Sequence, residues 1–335
     1  MTETLSFPTL GLSFDLNRVA FTIGTMPVYW YGIMIAIGFL LGMLYVFRRG
    51  KEFGIEIDRF IDVIFVSTIG AIIGARAYYV AFKWDYYSQN LSEIFNLRNG
   101  GIAIYGGIIG AFLVGCIMCK VKKVKVLAAT DIIVGGFFIG QCIGRWGNFF
   151  NIEAFGGNTS LPWGMTSSSI VNYLAMNKTE LEAIGMSIDP NMPVHPTFFY
   201  ESLWCLIGFI IIALYTKHRK YDGELTLMYA AIYGAERFIV EGLRTDSLMW
   251  GSVRVSQILA GICVIVCIGL LAFFNKKYKE GKLPPVYGTT EEARLIVEKK
   301  FDYKTGKAIV LETNTDDENI IDEERPKDNI TETNE

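Results

Sequence analysis

Seven stretches of this chain, roughly 29–47, 60–82, 102–119, 126–143, 196–216, 224–243 and 255–274, are apolar over close to the length that crosses a bilayer. A spanning helix needs about 20 apolar residues. Hydrocarbon offers no water to the backbone, so each segment must satisfy its N–H and C=O groups as a helix or within a closed barrel. Long runs without a two-residue alternation point to helices. The expectation is therefore an all-α polytopic membrane protein with about seven transmembrane helices. Composition agrees, since 51% hydrophobic residues and a mean hydropathy of +0.33 are too apolar for an ordinary soluble domain.

Positive residues in short loops are retained on the cytoplasmic side. One set of loops holds Arg48, Arg49, Lys51 and Arg59, then Lys120, Lys122, Lys123 and Lys125, then Lys217, Arg219 and Lys220, then Lys276, Lys277, Lys279 and Lys282. The opposite set is sparse, with Arg18, Lys83, Arg98, Lys178 and Arg254 besides the polar-cluster residues Arg145 and Arg244. Seven spans then place the N-terminus outside and the C-terminus inside. Only Arg18 precedes the first span, so no cleaved signal peptide is expected.

The chain divides into an external N-terminal segment, 1–28, a seven-span catalytic domain, 29–274, and a cytoplasmic tail, 275–335. The external connection 151–195, with Gly156-Gly157-Asn158, Pro162, Pro190 and Pro193, reads as a structured cap. Residues 311–335 carry ten acidic residues against Arg325 and Lys327 and are expected to be disordered. Their charge of −8 sits in a chain of −3, so residues 1–310 are +5. Residues 291–299 suit a short helix whose role the sequence does not reveal.

The chemistry concentrates in Gly144-Arg145-Trp146-Gly147-Asn148-Phe149-Phe150-Asn151-Ile152-Glu153-Ala154-Phe155-Gly156, at the end of a long apolar run. A charge at mid-bilayer costs about 2.5–3.5 kcal/mol on insertion scales, so a dense polar cluster there points to a polar substrate. Arg237, Glu241 and Arg244 follow at i, i+4 and i+7, one stripe of a helix. An ion pair neutralises Glu241 and one arginine, leaving the other with spare donors. Arg145 falls at the same outer end, and converging guanidiniums suit a phosphate, whose oxygens take their bidentate bonds.

Other polar or aromatic candidates are Tyr31, Arg76, Tyr105, Asp131, His195 and Glu201. For Tyr29 and Trp30 an interfacial aromatic belt is the favoured reading. Arg76 and Asp131 are candidates for a structural pair between helices. His195-Pro196 opens the fifth span and leaves free N–H groups facing the outer interface. Glu201, about one turn further in, suits structural orientation and catalysis equally. All six cysteines lie within expected spans and behave as small apolar residues. With only His195 and His218 in the chain, neither a metal site nor a cofactor is expected.

The thirteen-residue run resembles the signature of the prolipoprotein diacylglyceryl transferase family, bacterial plasma-membrane enzymes. Further matches follow in order: Trp30-Tyr31-Gly32, Gly74-Ala75-Arg76, Asn99-Gly100-Gly101 through Gly106-Gly107, His195-Pro196 with Tyr200-Glu201, and Arg237-Phe238-Ile239-Val240-Glu241 before Arg244. The resemblance covers about residues 25–275. It implies transfer of the diacylglyceryl group of phosphatidylglycerol to the lipobox cysteine of a prolipoprotein, with release of glycerol 1-phosphate. It implies partners in the lipid bilayer and no nucleic acid.

On that resemblance Tyr105, Arg145, Arg237 and Glu241 are the catalytic candidates. Arg145, Asn148, Asn151, Glu153, Gly156, Arg244 and Tyr31 would bind phosphatidylglycerol, and Arg76, Asp131, His195 and Glu201 would support them. Some members carry a histidine, proposed as general base, where this chain has Tyr105. A tyrosine with a pKa of about 10 is a poor base at neutral pH; the alternatives are that arginine neighbours depress it, that it only hydrogen-bonds substrate, that Glu153, Glu201 or Glu241 takes the proton, or that the base matters less than positioning of the lipid phosphate, and with the arginines retained, phosphate stabilisation is expected to carry more of the catalysis. The competing classes are a transporter or channel, with the same charges lining a solute path, and a lipid-binding assembly protein without chemistry.

Overall fold

Each long apolar run folds as a helix in the computed structural model, which describes residues 2–96, 100–245, 249–250, 253–303 and 305–309. Arg98, Asn99 and the acidic stretch 311–335 lie outside the described residues. The helices are α1 (Trp30–Arg49), α2 (Ile57–Phe82), the short α3 (Trp84–Tyr87), α4 (Ile104–Val121), α5 (Val126–Asn151), α6 (Ser168–Ala183), α7 (Thr197–Tyr215), α8 (Glu224–Glu241), α9 (Val255–Lys279) and α10 (Glu291–Val297).

Among the described residues, six helices are long and apolar enough to cross a membrane: α1, α2, α4, α5, α7 and α9. The expectation of seven apolar spans is therefore met in six. The remaining run forms α8, but Glu224, Glu236, Arg237 and Glu241 give it more charge than a lipid-facing segment carries.

Two helix pairs cross backbone to backbone through glycines four residues apart, a spacing that puts both on one face. In α1 and α5 these are Gly38 and Gly42 against Gly136 and Gly140; a Cβ on Gly42 would sit 3.0 Å from the Gly136 carbonyl oxygen. In α2 and α4, Gly70 and Gly74 meet Gly106 and Gly110, and a Cβ on Gly74 would lie 2.9 Å from the Gly110 Cα. Without competing side chains, the helices come close enough for dispersion contact along the backbone itself.

At the lysine- and arginine-rich end, Val46, Phe53, Phe60, Ile132 and Ile212 are buried together with Tyr287, Ala293 and Ile296, residues that follow the last long helix. The chain after α9 thus turns back and closes this end. Thr290 caps α10 by accepting from the Ala293 N–H at 3.2 Å. The Tyr287 N–H donates to Asp222 at 3.0 Å, the Tyr303 hydroxyl donates to Glu56 at 2.8 Å, and the Arg59 guanidinium lies 3.6 Å from the centre of the Tyr303 ring. Asp131 also belongs here. It accepts from the N–H groups of Gly223 and Thr226 at 2.8 and 2.9 Å and from the Thr226 hydroxyl at 2.7 Å, satisfying donors at the start of α8.

The body is mostly helical, as expected of an all-α polytopic membrane protein, and the opposite end adds a cap with short two-stranded pairs. Strand β1 (Thr2–Phe7) pairs antiparallel with β2 (Leu12–Asn17), and β3 (Val19–Ile23) with β4 (Met26–Tyr29). Leu5 and Leu16 share one core with Ile152, Phe155, Met165, Ile170, Leu174 and Val194. The N-terminal segment and the connection 151–195 therefore form one structure. Glu3 ties them together by accepting from the Ser169 N–H at 2.7 Å and the Ser169 hydroxyl at 2.5 Å.

Burial raises the Glu3 carboxyl, but the Ser169 bonds, the Ser167 hydroxyl and the Arg18 charge together outweigh it and hold Glu3 below its ordinary range. A carboxylate depressed by folding contributes stability above its unfolded pKa and loses it as pH falls through the folded value. Docking of the β1–β2 hairpin should therefore weaken below about pH 4. Amide protection at Ser6 and Thr166, which bond each other at 2.9 and 2.8 Å, reports this. Protection unchanged into that acid range, or an acid loss equal in Glu3→Gln, would refute it.

Candidate active site

The signature segment begins as helix. α5 runs to Asn151, eight residues beyond the expected end at 143, so Arg145 and Asn148 project from a rigid element. It stops at Ile152, in the left-handed conformation with φ 52°, and Ala154 follows at φ 57°. For residues with a Cβ this costs on the order of 1 kcal/mol each and persists only where surroundings impose it. Here the Thr197 hydroxyl donates to the Ala154 carbonyl, and the Glu153 N–H to that of Asn148 at 3.1 Å.

This reversal lays the end of the signature between two other segments. The Gly156 N–H donates to the His195 carbonyl at 2.9 Å, the His195 N–H to Gly157 at 3.0 Å, and the Gly157 N–H to Leu243 at 2.8 Å. A Cβ on Gly156 would meet the His195 Cβ at 2.8 Å and the Leu243 carbonyl oxygen at 3.0 Å. Gly156 is thus needed for close backbone approach. Gly156→Ala should push the His195 and Leu243 segments apart, lowering activity at least about tenfold while the protein stays folded, in keeping with the cost of small misplacement. Wild-type turnover by this variant would show that the seam tolerates the shift.

The seam brings three arginines onto one carboxylate. Glu201, on the second turn of α7, is fully buried. Its Oε2 lies 3.1 Å from Arg145 of α5; its Oε1 lies 3.2 Å from Arg237 of α8 and 3.7 Å from Arg244. Arg237 also pairs with Glu241. The three arginine side chains keep 14–21% of their surface exposed against 0% for Glu201, so they retain a face directed away from it. The convergence of three guanidiniums with part of their surface open suits an anion.

The expected single stripe of Arg237, Glu241 and Arg244 is corrected in part. α8 ends at Glu241, the Leu243 N–H turns back to Val240, and Arg244 reaches the cluster from an extended residue bridged to Gly156. Arg76 and Asp131 do not pair. Arg76 spends its donors on backbone carbonyls of Ile94, Glu93, Asn96, Gly100 and Gly101, at 2.5–3.0 Å, shaping the loop before α4, while Asp131 caps α8 at the basic end.

Asn148 and Asn151 both donate to Glu153 Oε1, at 2.9 and 3.2 Å, forming a trio at the end of α5. Tyr31 lies against Gly147, where a Cβ would sit 2.6 Å from its ring, and Trp30 stacks on Phe150 at 4.9 Å. Trp30 is thus a packing residue of the signature rather than part of a belt alone. His195 Nδ1 is 3.1 Å from the Tyr200 hydroxyl, which accepts from Trp163 at 2.7 Å. Burial lowers the His195 pKa and favours its neutral form.

Tyr105 stands half-exposed in the first turn of α4, and among the described residues no hydrogen bond joins it to the arginines. Sequence reasoning missed Glu236, a fully buried carboxyl directly before Arg237. Adjacent helical residues face different ways, so that neighbour in sequence gave no hint of a shared site. Among the described residues no group of three or more His, Cys, Asp or Glu is arranged to hold a metal ion.

Comparison with known proteins matches residues 18–273 to the family model for prolipoprotein diacylglyceryl transferase. Proteins named phosphatidylglycerol–prolipoprotein diacylglyceryl transferase are similar along nearly their whole length. One from Clostridioides difficile is 41% identical over 264 residues, covering 79% of this chain and 98% of the relative. One from Finegoldia magna is 43% identical over 263 residues, 78% and 97%. One from Bacillus cytotoxicus is 43% identical over 263 residues, 78% and 94%.

Proposed function

The chain belongs to the prolipoprotein diacylglyceryl transferase family, and from that premise we propose that the arginine cluster around Glu201 holds the phosphate of its lipid substrate. The enzyme transfers the diacylglyceryl group of phosphatidylglycerol to a prolipoprotein cysteine, the first step of lipoprotein maturation. The observation that carries the site assignment is the convergence of Arg145, Arg237 and Arg244 on one buried carboxylate with their other faces partly open.

In this reading Arg145 grips the headgroup phosphodiester, with Arg237 and Arg244 beside it. The cysteine sulfur attacks the glycerol carbon of the diacylglyceryl group, a C–S bond forms, and the C–O bond to phosphate breaks with its electron pair going to oxygen. Glycerol 1-phosphate leaves with one more negative charge, developing where the guanidiniums stabilise it. A thiol with a pKa of about 8.5 must give up its proton, which passes to water. The departing monoester, with a second pKa of about 6, gains the charge that balances this loss. Asn148, Asn151 and Glu153 take the free glycerol hydroxyls, Tyr31 and Gly156 shape the floor, and Glu241 and His195 hold the arginines and their loops.

Tyr105 then serves substrate hydrogen bonding rather than proton removal. Tyr105→Phe should retain activity within about fivefold, the loss of one ordinary hydrogen bond. A loss near the 10²–10⁴-fold range of general-base removal would restore it as proton acceptor.

The topology completing this reading has α8 as a seventh crossing, its charged end inside the bundle, the N-terminus outside and the tail inside. The cap and cluster then face the outer leaflet of the bacterial plasma membrane, where a lipobox peptide arrives. The deciding experiment incubates purified protein in phosphatidylglycerol micelles with a lipobox peptide and its Cys→Ser control. A diacylglyceryl mass gain on the cysteine peptide alone, with glycerol phosphate release abolished by Arg145→Ala, supports the reading. Unimpaired transfer by that variant would place the lipid phosphate elsewhere.

A further inference from the structure

Between the basic ends of α4 and α5 and the chain that follows α9 lies a cavity of about 330 Å³. Lys120, Lys123 and Lys125 line it, and Glu292 of α10 is the single acidic residue lining it among the described residues. Ile296, Phe301 and Tyr303 close the far side, and all three fall beyond residue 273, where the family match ends.

Two of the lysines are engaged. Lys123 donates to the Tyr303 carbonyl, and Lys125 lies 3.7 Å from Glu292 with its ammonium 5.2 Å from the centre of the Tyr287 ring. Glu292 also accepts from the Tyr287 hydroxyl at 3.2 Å. Lys120 is exposed and makes no hydrogen bond or ion pair with a described residue. Like charges gathered around one concavity repel unless anions offset them, and here one carboxylate is set against three ammoniums.

Lys120 occupies the last turn of α4 and Lys125 immediately precedes α5, and both helices are long enough to span a membrane. The lysines therefore stand where the helices leave hydrocarbon for headgroups, the depth at which basic pockets between helices take lipid phosphates. We propose that the cavity holds the phosphate of an anionic phospholipid from the leaflet at the basic end, ringed by the three lysines, with the glycerol backbone against Val124 and Phe301. A free phosphate ion, or a run of carboxylates, supplies the charge but leaves that apolar wall in water. The bound lipid fastens the α4–α5 turn to the chain after α9. Arg145 lies 20 residues further along α5 than Lys125, about 30 Å at 1.5 Å per residue. This lipid is therefore a second one, and its site does not depend on what the arginine cluster holds.

The test places the full-length protein in bilayer discs containing phosphatidylglycerol that bears a diazirine at the top of one acyl chain, and maps the photoadducts by peptide mass. Adducts are expected at 119–125 or 296–306, besides any at 145–156. Lys120→Gln should cut the basic-end yield about fivefold, and Lys120→Glu about 25-fold, at roughly one such factor per unit of charge. Lys120→Arg should retain it, and thermal unfolding should be unchanged in all three. No adducts at the basic end, with or without adducts at 145–156, overturn the inference. So does an equal yield from a phosphatidylcholine probe, or a yield indifferent to Lys120→Glu. Basic-end adducts erased by millimolar inorganic phosphate would mark a site for the free ion, and carbodiimide coupling of Lys120 or Lys123 to carboxylates of 311–335 in the same discs would show the chain's own acidic segment in the lipid's place.

Discussion

Arg145→Lys should lower kcat/KM for diacylglyceryl transfer by about 10²-fold, and Arg145→Ala by about 10³-fold, the range seen when one preorganised donor to developing oxyanion charge is removed. Arg145 reaches Glu201 Oε2 at 3.1 Å from a helix that the signature extends, so its guanidinium is fixed before lipid arrives. Lysine keeps the charge but replaces a planar fork with a point donor, and it cannot hold a carboxylate and a phosphate through parallel bonds. If the role is headgroup binding, KM for phosphatidylglycerol should rise; if it is leaving-group stabilisation, kcat should fall. Steady-state kinetics with varied lipid separates the two, and a fully active lysine variant would defeat the bidentate argument.

The largest effect on stability is expected at Glu201. Glu201→Ala strips the shared partner from Arg145, Arg237 and Arg244, leaving like charges close together and partly buried. Breaking a buried ion pair by removing one side costs about 3–5 kcal/mol. Domain stabilities run to about 5–15 kcal/mol, so this variant should be severely destabilised. Glu201→Gln preserves shape and one acceptor, and should fold better while still losing most activity because the arginines are no longer drawn together. Thermal unfolding in detergent, read with lipid transfer, checks both. A Glu201→Ala protein as stable as wild type would mean that the arginines find other partners.

Much of this was legible from residue order, and the failures have identifiable causes. The apolar runs gave the long helices because membrane length and backbone satisfaction leave no alternative. The end of α5 was set too early: Arg145 and Asn148 broke the apolar run, yet Trp146, Phe149 and Phe150 continued a helix whose polar residues face protein. Arg237 and Glu241 were correctly put on one face, whereas Arg244 was carried past a turn at Gly242 that spacing alone does not announce. No pairing rule assigns Arg76 to carbonyls 17–25 residues away.

Other signals were present and unread. Leu12–Asn17 alternates apolar and polar residues, and Leu5 and Phe7 do so across Ser6 on the other side of a left-handed Gly11, the pattern of a hairpin. The glycine spacings 38/42, 70/74, 106/110 and 136/140 are the small-residue code for helix crossings. Glu236 had no readable signal, because its environment comes from three helices.

The strand of chain that closes the basic end has a consequence for how the protein is made. Phe53 and Phe60 lie early in the sequence, whereas Tyr287, Ala293 and Ile296, which cover the same core, are translated after every long helix. At about 5–20 residues per second, the ribosome takes on the order of ten seconds or more to pass from one set to the other. Helix insertion and completion of the fold are therefore separate in time, and during that interval the newborn bundle exposes an apolar underside that its own later residues must find.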